Sequence, residues 1–169
     1  MRRKPILLAA SLVLLLLGGA GLVALLVLHE PSVYHNATLP PGPQRKQRSS
    51  EFQTEFCHFL DAVNNREREW SAEFTQEQIN SFFEEDFVRS GLAEKVLPEG
   101  VRGPRLTLEP DKIRLAFRYD LSAGSTVITI DLGLWLTNKQ PNVVALEIQG
   151  LRAGALPITA QSLLERISE

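Results

Sequence analysis

A single cysteine, Cys57, leaves this chain without any internal disulfide. Set among Phe56, His58 and Phe59, it reads as a small hydrophobe and not as a reactive thiol. Histidine is almost as scarce, and His29, His35 and His58 form no metal-ligand spacing. Neither sign of charge dominates: 18 Lys and Arg stand against 20 Asp and Glu, for a formal net charge of −2. The concentrated positive charge that nucleic acid demands is missing. No glycine-rich phosphate loop occurs, and no nucleophile has a base beside it in a known motif. The reading is of a protein that is not an enzyme and carries no cofactor and no metal.

Charge is missing altogether from Pro5 to Leu28, a run of Leu, Val, Ala and Gly preceded by Arg2, Arg3 and Lys4. A bilayer core about 30 Å thick is crossed by about 20 helical residues. Basic residues on one flank keep that flank in the cytoplasm. The organisation expected is a basic cytoplasmic tail over 1–4, a transmembrane anchor over 5–28, a Pro-rich linker over 29–43 and an extracytoplasmic domain over 44–169. The protein would then lie in the cell membrane as a single-pass signal-anchor, its C-terminal domain periplasmic in a Gram-negative cell. A cleaved signal peptide is the rival, with Gly18-Gly19-Ala20-Gly21 as its cleavage region. Leu22 to Leu28 continue the apolar run beyond that point, which favours the retained anchor. Asn36-Ala37-Thr38 matches the N-glycosylation pattern, of consequence only in an organism that glycosylates there.

The linker holds Pro31, Pro40, Pro41 and Pro43 and reads as a semi-rigid stalk lifting the domain off the membrane. From Ser50, a suitable cap, Phe52, Phe56, Phe59, Leu60 and Val63 follow helical spacing. Trp70, Ala72 and Phe74 alternate with polar residues as a short strand would. Thr75 to Gln78 form a capping box, opening a helix with Ile79, Phe82 and Phe83 on its apolar face. Asn80 sits beside that face, where a side-chain bond to neighbouring backbone is its expected role. Ser90 to Pro104 reads as loop.

Beyond it the period changes to two. Leu106 and Leu108, then Ile113, Leu115, Phe117 and Tyr119, form a hairpin about Pro110-Asp111. A long strand carries Ile128, Ile130, Leu132, Leu134 and Leu136; after a turn over Asn138 to Asn142, another carries Val144, Leu146 and Ile148. Thr159 can cap a last helix with Leu163, Leu164 and Ile167. The fold class is α+β: an N-terminal transmembrane helix, then a curved antiparallel sheet of four to five strands packed against two or three helices. The sheet's other face, with Arg114, Arg118, Asp131 and Glu147, is expected to meet solvent.

Phe74-Thr75, Ile79-Asn80 and the late Gly154-Ala155-Leu156-Pro157-Ile158 are similar to the matching elements of the YpmS-like bacterial membrane-anchored proteins. The resemblance covers about Trp70 to Glu169. It implies an N-terminal anchor and kinship with extracytoplasmic lipid-binding folds. One expectation is therefore lipid or another apolar ligand held in a sheet–helix groove. Its lining would be Phe56, Phe59, Phe82 and Phe83 from the helices and Ile130, Leu132 and Leu134 from the sheet. The alternative is a protein–protein interaction module of a cell-envelope assembly, meeting an envelope protein through the acidic helix face or the 90–104 loop.

Overall fold

The computed structural model describes residues 3–122, 124–136 and 144–159, with side chains from residue 11 onward except that of Leu136. The turn expected over Asn138 to Asn142 and the helix expected after Thr159 lie outside these residues. Among the described residues, six helices precede five strands: α1 (Arg3–Leu28), α2 (Ser32–Asn36), α3 (Pro43–Asn64), α4 (Gln76–Glu84), α5 (Asp86–Arg89), α6 (Leu92–Val96), β1 (Val101–Glu109), β2 (Lys112–Leu121), β3 (Gly124–Leu136), β4 (Val144–Ala153) and β5 (Leu156–Pro157). The strands form one antiparallel sheet in chain order. The α+β architecture stands.

The 26 residues of α1 span about 39 Å, and the helix is long and apolar enough to cross a membrane. From residue 11 to residue 25 its side chains are exposed. Its last turn is not free. The Ala155 N–H donates to the Leu26 carbonyl at 2.8 Å, and the Thr126 hydroxyl donates to the Val27 carbonyl at 2.5 Å. Carbonyls at a helix C-terminus have no partner within the helix, and here the sheet supplies one. Gly154, at φ +58, leaves the room: a Cβ there would run into the Leu26 and Val27 carbonyls.

The segment read as a stalk is instead part of the domain. Tyr34, on α2, is 3% exposed and packs with Ala116 of β2 and Val127 of β3. It lies on the sheet face expected to be solvated. Register puts Arg105, Arg114, Ala116, Arg118, Val127, Thr129 and Asp131 together there, and Ala116, Val127, Thr129 and Asp131 are all buried. The expectation of a bare polar face is thus corrected. The reason is chemical: arginines stack on an aromatic ring and pair with carboxylates, so the Tyr34 segment can cover a face that sets Ala116 and Val127 among charged side chains.

Three local expectations also change. Helix α3 starts at Pro43, with Gly42 before it and proline in the first turn, and not at Ser50. The residues between, Gln44-Arg45-Lys46-Gln47-Arg48, are good helix formers that extend it towards the membrane side of the sequence. Trp70 to Phe74 is not a strand; it runs without a ladder partner, and its alternation lays Trp70 on Phe59 and Phe74 on Phe52, with ring centroids 5.2 and 5.1 Å apart. The 90–104 stretch is only partly loop, since α6 lies within it and β1 begins at Val101. The capping box at Thr75 and Gln78 forms as the sequence predicts.

Candidate functional site

Helix α4 is fixed to the sheet by its amides. The Asn80 side chain, 2% exposed, donates to the Leu106 carbonyl at 2.8 Å and accepts from the Leu106 N–H at 2.8 Å. One turn earlier, Gln76 accepts from the Leu108 N–H at 3.0 Å. Residues four apart share a helix face, so Gln76 and Asn80 act as a substitute neighbour strand along the open edge of β1. An unpaired sheet edge otherwise invites pairing with foreign chains. Helix α3 packs in turn on α4, held at its start by Arg45, which pairs with Glu85 at 2.7 Å.

This stacking decides where the expected ligand residues go. Phe82 and Phe83 of α4 stand beyond the β1 edge, and Phe56 and Phe59 of α3 lie one helix further out. Their ring contacts run Phe59 to Phe56 to Phe52, then from Phe52 to Phe82 at 4.9 Å and on to Phe83 and Phe87. Trp70 and Phe74 complete this aromatic seam. Phe59 also lines a cleft of about 460 Å³ with Trp70, His58 and Glu55.

Ile130, Leu132 and Leu134 sit elsewhere, in the middle of the sheet. Their cross-strand partners are Leu115 and Ile113 on β2 and Leu151, Ile148 and Leu146 on β4. Every one of these side chains shares a single face. Ile113, Leu115, Ile130 and Leu132 are only half-buried, while Leu146 and Ile148 are 61% and 55% exposed. The structure therefore brings together the three sheet residues of the expected set, as one aliphatic surface. The four phenylalanines gather in a separate helical seam.

The opposite face holds the strongest electrostatics. Arg114 donates to Asp131 at 2.6 Å and pairs with Glu109 at 2.9 Å; the bond to Asp131 is the main cause of a pKa raised above the ordinary arginine value. Gly150 faces Asp131 across the ladder, and a Cβ there would come within 3.2 Å of the carboxylate. Arg118 pairs with Glu30 at 2.7 Å, which likewise raises its pKa. The guanidinium of Arg105 lies 4.4 Å from the centre of the Tyr34 ring and that of Arg118 5.4 Å. Arg105 also pairs with Glu84 at 2.7 Å. Paired in this way, these charges bind segments of the chain to one another, although the Arg105 Nε is buried without a hydrogen-bond partner among the described residues.

Sequence reasoning did not anticipate the long-range contacts of Tyr34, Thr126 and Gly154. A signal existed for two of them. Tyr34 is the one aromatic residue in the 29–43 stretch, and Gly154 belongs to the Gly-Ala-Leu-Pro element. Thr126 offered none. Comparisons with protein-family models, curated proteins and solved structures give no match to this chain.

Proposed function

We propose that the chain is a membrane-anchored extracytoplasmic protein that holds an acyl chain, or another apolar ligand, against the aliphatic face of its sheet. The observation that carries this reading is the half-exposed surface of Ile113, Leu115, Ile130 and Leu132, continued by Leu134, Leu146 and Ile148. Burying apolar surface is worth about 0.8 kcal/mol per methylene, so a linear chain along this face gains affinity without any polar motif. The hydrogen bonds from Thr126 and Ala155 to the end of α1 support it further, because they keep the sheet beside an apolar helix and so beside a source of lipid. Kinship with the YpmS-like proteins belongs to the same proposal. In this reading Phe82 and Phe83 bound the face beyond β1 and are not its floor.

The test uses the full chain reconstituted in vesicles containing a phospholipid with a photoreactive diazirine on its acyl chain. Cross-linking should fall on peptides from β2, β3 and β4 and should be lost in Leu132→Glu protein that keeps its circular dichroism spectrum. Labelling restricted to α1 would sink the proposal.

A second reading has its own observation. Among the described residues, the outer edge of β4 pairs with β5 at Arg152 and Ala153, and towards its other end Val144, Leu146 and Ile148, on the aliphatic face, are all more than half exposed. An edge of this kind accepts an added strand, which suits an interaction module. Co-purification of a stoichiometric envelope protein that Ile148→Lys releases would favour this second reading.

A further inference from the structure

We infer that the β2–β3 end of the sheet rests in the headgroup layer of the bilayer, with Leu121 and Tyr119 as its membrane-contacting side chains. The inference takes α1 as the membrane-crossing element and goes beyond the ligand reading, since it concerns a lipid surface and not a bound lipid. Leu28 is the last residue of the uncharged run, and His29 and Glu30 follow it. That places Leu28 at the boundary between hydrocarbon and headgroups, a layer about 5–8 Å deep on each side. A Cβ on Gly124, the first residue of β3, would lie 3.5 Å from the Leu28 side chain. Gly124 pairs across the ladder with Leu121. Thr126, which pairs with Tyr119, is bonded directly to the Val27 carbonyl. Two strand residues cover about 7 Å, so Leu121 and Tyr119 both fall within reach of the layer in which Leu28 ends.

Their chemistry suits that layer. Leu121 is 40% exposed and Tyr119 38% exposed, and both project from the aliphatic face of β2. Tyrosine, with an apolar ring and a polar tip, favours the membrane–water interface. The attachment at Thr126, Gly154 and Ala155 leaves no flexible spacer that would let this end drift away from the bilayer. A consequence follows for the aliphatic face: its near end, at Ile128, starts at the membrane surface.

The experiment uses the full chain in phosphatidylcholine vesicles, with Cys57→Ser as background and a nitrobenzoxadiazole label on Leu121→Cys. Lipids carrying a nitroxide at the headgroup should quench this label strongly, and lipids carrying it deep in the acyl chain should quench it less. A label on Leu17→Cys reports α1 independently and should show the reverse order. A Leu121 label left bright while the Leu17 label is quenched overturns the inference and leaves the anchor intact. A Leu17 label that no lipid quenches overturns it by removing the anchor. Thermal melts of each labelled protein against the parent show whether the sheet end is still folded; a native melt with an unquenched Leu121 label is decisive against the inference.

Discussion

The hydroxyl of Tyr34 donates to the carbonyl of Gly103 at 2.9 Å, joining a residue just beyond the apolar helix to the first strand of the sheet. Gly103 has φ +57, and a Cβ there would meet that hydroxyl at 2.7 Å, so glycine serves both the backbone turn and the close approach. Removing the ring with Tyr34→Ala should cost about 3–5 kcal/mol, as other buried aromatic truncations do. Tyr34→Phe should cost about 1 kcal/mol, the net worth of one hydrogen bond. Chemical denaturation of the detergent-solubilised full chain measures both. A fragment starting at residue 44 loses Tyr34 and Glu30 together and should melt well below the full chain.

Asn80 predicts a different failure. Replacing it with Ala removes both partners of the Leu106 backbone and reopens the edge of β1. A buried polar group left unpaired costs about 1–3 kcal/mol. Asn80→Asp keeps the acceptor for the Leu106 N–H but sets a carboxylate against the Leu106 carbonyl, so it should be at least as damaging as Asn80→Ala. The check is thermal stability together with light scattering, since an unprotected edge should also promote aggregation.

What the sequence made legible follows from period and capping. Alternation in β2 and β3 identified the strands and their aliphatic face, and the Thr75 box located the start of α4, because each depends on neighbours within a few residues. The long-range relationships were not legible. Nothing near Tyr34 in the chain announces that it will meet Ala116 and Val127, and nothing near Arg118 announces Glu30. Alternation also cannot say which face of a sheet is covered: it points to the aliphatic face as the core, yet the face lined by arginines is the one that Tyr34 closes. Of the expected ligand residues, Ile130, Leu132 and Leu134 share a face because one strand carries all three. Opposing them with the phenylalanines required α4 to lie over the sheet, whereas Gln76 and Asn80 draw it to the edge.

Acid should weaken the junction of α3 with α5. The Ser49 hydroxyl, fully buried, donates to the Asp86 carboxylate. That bond is the main cause holding the Asp86 carboxyl below its ordinary range; burial opposes it, and Arg89 adds to it. A carboxyl whose pKa is lower folded than unfolded contributes stability above its unfolded pKa and loses it as pH falls through the folded value. The contribution is therefore complete above about pH 5 and declines below about pH 4. Ser49→Ala should lower the melting temperature at neutral pH and flatten its decline in acid relative to the parent protein.

Phe117 and Arg118 make the sharpest test of which face is covered. Alternation alone treats Phe117 as core and Arg118 as surface, so that Phe117→Asp would be ruinous and Arg118→Asp harmless. The structure gives Phe117 only half-burial, on the aliphatic face. It gives Arg118 an ion pair with Glu30 and a place against the Tyr34 ring. Arg118→Asp would set a second carboxylate beside Glu30 and remove the cation from Tyr34. The pair is solvent-screened, its side chains 32% and 38% exposed, so its own worth is within about 1 kcal/mol; reversal adds like-charge repulsion and removes the cation from the Tyr34 ring. Arg118→Asp should thus destabilise the full chain measurably, by about 1–2 kcal/mol, where a bare surface position would show none, and the double variant Glu30→Arg with Arg118→Asp should recover part of the loss. Rescue by the swapped pair is the discriminating result, since it requires residues 88 positions apart in the chain to be in contact. An Arg118→Asp protein with the parent's melting temperature would mean that the 29–39 segment does not cover this face.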